Sequence, residues 1–147
     1  MNNIKIDIKR LTDTAIIPSY QTEYSAGADL YSDSEETTIM PGETFLVSTG
    51  VAIAIPVGYV GLIYARSGLS TKKGLAPANK VGVIDSDYRG EIKVSLHNHS
   101  KEPRSISKGE RIAQIVFTPY IQGLFNETEE LDETKRGAGG FGSTGSK

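Results

Sequence analysis

Turn formers punctuate this chain so often that no long regular element fits between them. Pro41-Gly42 separates residues 37–40 from residues 44–55, Pro56 and Gly58 precede residues 59–65, and Lys108-Gly109-Glu110 leads into residues 111–121. The runs between are rich in valine, isoleucine and threonine, whose β-branched side chains favour a pleated surface, so each reads as a short strand. Alternation supports this at both ends of the first hundred residues. Ile4, Ile6 and Ile8 interleave with Lys5, Asp7 and Lys9, and Ile92, Val94 and Leu96 interleave with Lys93, Ser95 and His97. A period of two is the mark of a strand with one buried face. The one helical piece follows Ser67, where residues 68–73 have room for a turn or two before Gly74 stops them. With no internal repeat and no long amphipathic helix, the expected class is all-β with at most one short helix. At 147 residues the chain is expected to form one domain.

Composition removes several kinds of chemistry. There is no cysteine, hence no disulfide framework, no thiolate nucleophile and no Cys-ligated zinc. The two histidines, His97 and His99, would share the solvated face of a strand, a poor start for a metal cage. A net charge of −2 provides no basic field for a nucleic-acid backbone. The N-terminus alternates instead of presenting an apolar signal core, and no apolar run approaches bilayer length. No nucleic-acid or membrane partner is expected, and the location expected is cytoplasmic.

Residues 80–92, Lys-Val-Gly-Val-Ile-Asp-Ser-Asp-Tyr-Arg-Gly-Glu-Ile, place carboxylates inside a strand-forming run. They read as strand, tight turn, strand, with Asp85 at the turning point. A carboxylate held against apolar residues loses solvation and gains proton affinity, which suits a general base. The same residue types also make an ordinary turn in which Asp85 and Asp87 bond their own backbone. Asp29 is a second candidate acid, delivered by a loop and flanked by Ala28, Leu30 and Tyr31. From Asn126 the composition shifts to acidic residues, and Arg136 opens a glycine-rich end. This end has no core of its own, yet Arg136, Phe141, Ser143 and Thr144 suit a nucleotide's phosphates and base. Gly140-Phe141-Gly142-Ser143-Thr144-Gly145 spells a dinucleotide-binding pattern, but no βαβ unit frames it and the match is accidental.

Five stretches, in order, resemble the motifs of the trimeric dUTPase family: Ala26-Gly27-Ala28-Asp29-Leu30, Arg66-Ser67-Gly68-Leu69, Gly82-Val83-Ile84-Asp85-Ser86-Asp87-Tyr88-Arg89-Gly90, Gly109-Glu110-Arg111-Ile112-Ala113-Gln114, and Arg136 through Thr144. The resemblance implies a distorted jelly-roll β-barrel over residues 1–125, with residues 126–147 as an acidic linker and flexible arm that closes over an active site. It implies a homotrimer with sites at subunit interfaces. It further implies Mg2+-dependent hydrolysis of dUTP to dUMP and pyrophosphate, which keeps dUTP low and supplies dUMP for thymidylate synthesis. By the same resemblance Asp85 activates the water that attacks the α-phosphate, and Asp29 touches the metal through water. Arg66, Ser67, Gly68, Gln114, Arg136, Ser143 and Thr144 hold phosphates. Asn79, Gly82, Val83, Ile84, Tyr88, Phe141 and Gly142 hold uracil and deoxyribose, with Tyr88 against the sugar. Two other readings share the fold: a dCTP deaminase-like enzyme, and a nucleotide-dependent regulatory or interaction protein.

Overall fold

The computed structural model describes residues 3–141. Ten antiparallel strands form two four-stranded sheets and a two-stranded ribbon, an all-β, jelly-roll-like arrangement. The strands are β1 (Asp7–Arg10), β2 (Ala28–Tyr31), β3 (Thr37–Ile39), β4 (Thr44–Ala54), β5 (Tyr59–Tyr64), β6 (Leu75–Pro77), β7 (Gly82–Ile84), β8 (Glu91–Asn98), β9 (Arg104–Ile106) and β10 (Arg111–Pro119). One sheet runs β1-β4-β8-β6, the other β2-β10-β5-β7, and β3 pairs with β9.

The alternating patterns explain where the core lies. Ile92, Val94 and Leu96 of β8 are buried, as are Val47, Val51 and Ile53 of β4, and they meet Leu30, Ile63, Ile112 and Ile115 of the second sheet. Burying one such side chain contributes about 1.5–3 kcal/mol, so this face sets the register of both sheets. Asn98 ends β8 inside the core with its polar atoms paired. Its Nδ2 donates to the carbonyls of Ile39 and Glu102, each at 2.8 Å, and its Oδ1 accepts from Ser100 N and Oγ. The single helical turn, Leu69–Lys73, is π-wound. Gly74 stops it as expected: at φ 71° it occupies the left-handed region open to glycine and returns its N–H to Leu69 O and Ser70 O.

One expectation holds with a difference and another fails. Residues 80–92 form strand, turn and strand as expected, but the two strands do not pair with each other. β7 pairs with β5 and β8 pairs with β4 and β6, so the segment between them crosses from one sheet to the other. Turn residues that would close a hairpin equally well turn a barrel corner, and only the partners' positions decide. The opening strand also differs. It begins at Asp7, is exposed throughout, and leaves Ile4 and Ile6 half-buried beside it. Ile4, Ile6, Ile8, Ile17 and Phe117 line an apolar groove of about 230 Å³ that the described residues leave open.

Candidate active site

Asp29 is the centre of the first half of the candidate site. It sits on β2, a strand buried on both faces, and is only 6% exposed. A buried carboxylate needs partners, and two arginines supply them. Arg66 Nε donates to Oδ1 at 2.9 Å and Arg111 donates to Oδ2 at 3.2 Å. Arg66 also reaches the Arg111 carbonyl at 3.4 Å. With its Nε fixed on Asp29, the Arg66 guanidinium is held at the wall of a polar cleft of about 410 Å³ that includes Asp29, Arg66, Ser67, Gly68 and Gln114.

The strand register puts Gln114 directly opposite Asp29 on one side and Tyr64 on the other. Gln114 Nε2 donates to Ala65 O at 2.9 Å. Its side chain lies so close over Gly27 that a Cβ there would overlap its amide, and this accounts for glycine before Ala28-Asp29. Sequence reasoning passed over Arg111 as a site residue. Strict alternation puts residues three apart on opposite faces, but a bulge between Arg111 and Ala113 breaks it. Ile112 and Ala113 are buried in succession, and Arg111 turns to the same carboxylate that Gln114 faces. Two adjacent apolar residues inside a polar-flanked strand were the available signal. Gln21, Ser25 and Tyr64 also line the cleft and were not anticipated.

The second half lies elsewhere in the chain. Gly82, Val83 and Ile84 form β7, the edge strand of its sheet, with Asn79 just before it. Asp85 follows β7, and its carbonyl accepts from Tyr88 N at 3.2 Å. Arg89 donates to the carbonyls of Ser86 and Tyr88 at 2.7 and 2.9 Å, which stiffens this corner. Contrary to expectation, Asp85 is exposed in the single chain, and so is Val83. The apolar surround that would desolvate this carboxylate does not come from its own strand, because the corner carries it to the rim. Asp29 is level with Tyr64 across two strands, whereas Ile84 is level with Gly61. At about 4.8 Å per strand and 3.3 Å per residue, Asp85 and Asp29 stand on the order of 20 Å apart.

Among the described residues, the C-terminal part joins neither half. After Tyr120 N donates to Gly58 O, Ile121, Leu124 and Phe125 are fully exposed. Among the described residues, the hydrogen bonds of residues 126–141 run within that segment, as in Arg136 Nε to Gly139 O at 2.9 Å. Phe141 is exposed. Gly142, Ser143 and Thr144 lie outside the described residues.

The model of one protein family, dUTPase, matches residues 13–145. The chain belongs to the dUTPase family. A deoxyuridine 5'-triphosphate nucleotidohydrolase of Nautilia profundicola is 54% identical over 142 residues, 97% of this chain and 99% of that one. The protein of the same name from Syntrophotalea carbinolica is 45% identical over 99% of each chain. Among solved structures, the dUTPase of Staphylococcus bacteriophage 80alpha with dUpNHpp superposes with a TM-score of 0.86 at 32% identity, over 97% of this chain and 99% of that one. A mutant dUTPase of phage phi11 of S. aureus, described with a structural Mg(II) ion, gives 0.80 at 26% identity, over 88% and 100%. The two-arginine carboxylate and the edge-strand corner are thus parts of a dUTPase-family enzyme.

Proposed function

We propose that this dUTPase-family chain hydrolyses dUTP to dUMP and pyrophosphate in a site completed by neighbouring copies. The observation that carries this reading is the cleft holding Arg66, Ser67, Gly68 and Gln114 around an Asp29 already balanced by two cations. A triphosphate brings several negative charges, and a guanidinium fixed through Nε keeps its outer donors for phosphate oxygens without reorganising. Ser67 and the Gly68 backbone stand beside it for the inner phosphates.

Asp85 is the proposed general base for the attacking water. About 20 Å separates it from Asp29 along the sheet, too far for one chain to place both around one reacting phosphate. The separation supports a cleft from one copy facing a corner from another, in a trimer. Such docking would also supply the desolvation that Asp85 lacks in its own chain. Among the described residues the outer edge of β7 has no strand neighbour, which leaves backbone donors and acceptors from Gly82, Val83 and Ile84, with Asn79, for the edge of uracil. Cytosine presents the opposite pattern and would leave them unpaired. Tyr88 is the proposed wall against the deoxyribose. Arg136, Phe141, Gly142, Ser143 and Thr144 are assigned to an arm, residues 126–147, that closes on the γ-phosphate and base once nucleotide is bound.

The residues fit magnesium as an outer-sphere partner. Among the described residues no group of three carboxylates or histidines forms a cage, and both Asp29 oxygens already accept from arginine. Asp29 would therefore meet the ion through its waters, with the phosphates as the direct ligands. Bound Mg2+ neutralises phosphate charge. Among the described residues no helix is long and apolar enough to cross a membrane, and we place the enzyme in the cytoplasm.

Pyrophosphate release measured across the deoxynucleoside triphosphates should favour dUTP. Asp85→Asn should fold, bind nucleotide and turn over about 10²–10⁴-fold more slowly. Asp85→Asn chains refolded together with Arg66→Ala chains should regain activity that neither has alone. Near wild-type turnover in Asp85→Asn would remove the base assignment, and no regain on mixing would remove the shared site.

A further inference from the structure

Gly90 follows the corner that carries Asp85 and Tyr88, and its own backbone does not call for glycine. It is absent from the residues with positive φ, so it does not occupy the left-handed region that favours glycine. What excludes a side chain there is Tyr88. A Cβ placed on residue 90 would lie 2.5 Å from Tyr88 Oη, 2.7 Å from Cζ and 3.0 Å from Cε2. The phenol folds back over the glycine and donates from Oη to Glu91 O at 2.8 Å. Its other end is tied down as well, since Tyr88 N donates to Asp85 O and Arg89 grips the Tyr88 carbonyl. The ring is therefore anchored at both ends and laid across a bare backbone, while much of it stays exposed.

We propose that Gly90 is a specificity-determining position that acts through Tyr88. It leaves the space in which the ring lies, and so keeps that ring as a fixed wall against the 2′-hydroxyl of a ribonucleotide. The inference rests on the reading above that Tyr88 packs against the deoxyribose. A wall excludes a hydroxyl only if it cannot swing aside, and an exposed tyrosine without its seat is free to rotate. An alanine at 90 fits the backbone but occupies the seat, pushes the phenol off Glu91 O and opens room beside the sugar. Gly90 does not touch nucleotide and is a positioning residue.

The test is a double-mutant cycle on discrimination. The values of kcat/KM for dUTP and UTP are measured in wild type, Gly90→Ala, Tyr88→Ala and the double variant. Gly90→Ala should narrow the dUTP-to-UTP ratio by about tenfold or more, as expected when a steric barrier of methyl size is removed. Tyr88→Ala should narrow it too, and adding Gly90→Ala to Tyr88→Ala should change nothing further. If Tyr88→Ala narrows the ratio and Gly90→Ala does not, the inference is overturned while the reading of Tyr88 stands. Additive effects in the double variant overturn it as well. An unchanged ratio in Tyr88→Ala removes the sugar-wall reading and the inference together. Should Gly90→Ala alone fail to fold, the double variant, with the ring gone, must fold, and failure of both places the constraint in the backbone and refutes the proposal.

Discussion

Asp29→Asn separates two jobs that one carboxylate can hold. The structure gives Asp29 work before any ligand arrives, because its oxygens accept from Arg66 at 2.9 Å and Arg111 at 3.2 Å. Hydrogen bonds to charged groups contribute about 1.5–3 kcal/mol when sheltered and about 0–1 kcal/mol as ion pairs in solvent. The Asp29 side chain is 8% exposed, but those of Arg66 and Arg111 are 26% and 42% exposed, so the first pair falls near the lower sheltered value and the second near the solvent value. Their sum is about 2 kcal/mol. For a chain of this size that lowers the melting temperature by about 4–8 °C. The assay is thermal unfolding without nucleotide, with EDTA, at one fixed protein concentration, since assembly makes melting concentration-dependent. Activity on dUTP should fall in parallel, because Arg66 loses the contact that aims it. Unchanged metal-free melting, with activity lost only where Mg2+ is limiting, would refute the argument and leave Asp29 serving the metal alone.

Asp33 provides a pH test. Partial burial acts to raise its pKa, but hydrogen bonds from Thr12 and Thr14, each at 2.6 Å, and the charge of Lys108 outweigh it and hold the carboxyl below its ordinary value. The folded state then binds the proton more weakly than the unfolded one, so this stabilisation is present above the ordinary carboxylate range and fades as pH falls through the lowered value. In urea unfolding, the stability gap between wild type and Asp33→Asn should be full at neutral pH and close below about pH 4, and a pH-independent gap would contradict this. A chain ending at Lys135 should melt like wild type without nucleotide yet lose most of its kcat/KM for dUTP. Retained activity in that chain would remove the arm from the site.

Residues 91–98 were legible because every second side chain enters the core, and no distant information is needed to see that. Gly74 was legible because it alone can end the helical turn where it does. β6 and β9 were not, since Leu75-Ala76-Pro77 and Arg104-Ser105-Ile106 lack the β-branched run that marked residues 37–39. β2 was not legible as a strand because it is buried on both faces and contains Asp29, a polar residue made tolerable by arginines far along the chain. The Asp85 segment showed its turn chemistry plainly, but whether the chain turned back or crossed to the other sheet depended on β5 and β4. The family motifs marked Asp29, Arg66 and Gln114 as candidate site residues, and the structure brings them to one cleft. The bulge that brings Arg111 to them is a property of pairing with β2, and the adjacent apolar pair Ile112 and Ala113 was its one local trace.

The distance between Asp85 and Asp29 bears on how activity follows the amount of protein made. An enzyme whose chain holds a whole site gives product in proportion to chain number. Where the base and the phosphate cleft come from different copies, sparse chains find few partners and active sites increase more steeply than chains do. Below the concentration at which copies associate, halving synthesis would then cut activity by more than half, and above it the dependence becomes linear. A cell using such an enzyme has a threshold of expression set by the interface between copies instead of by any catalytic residue.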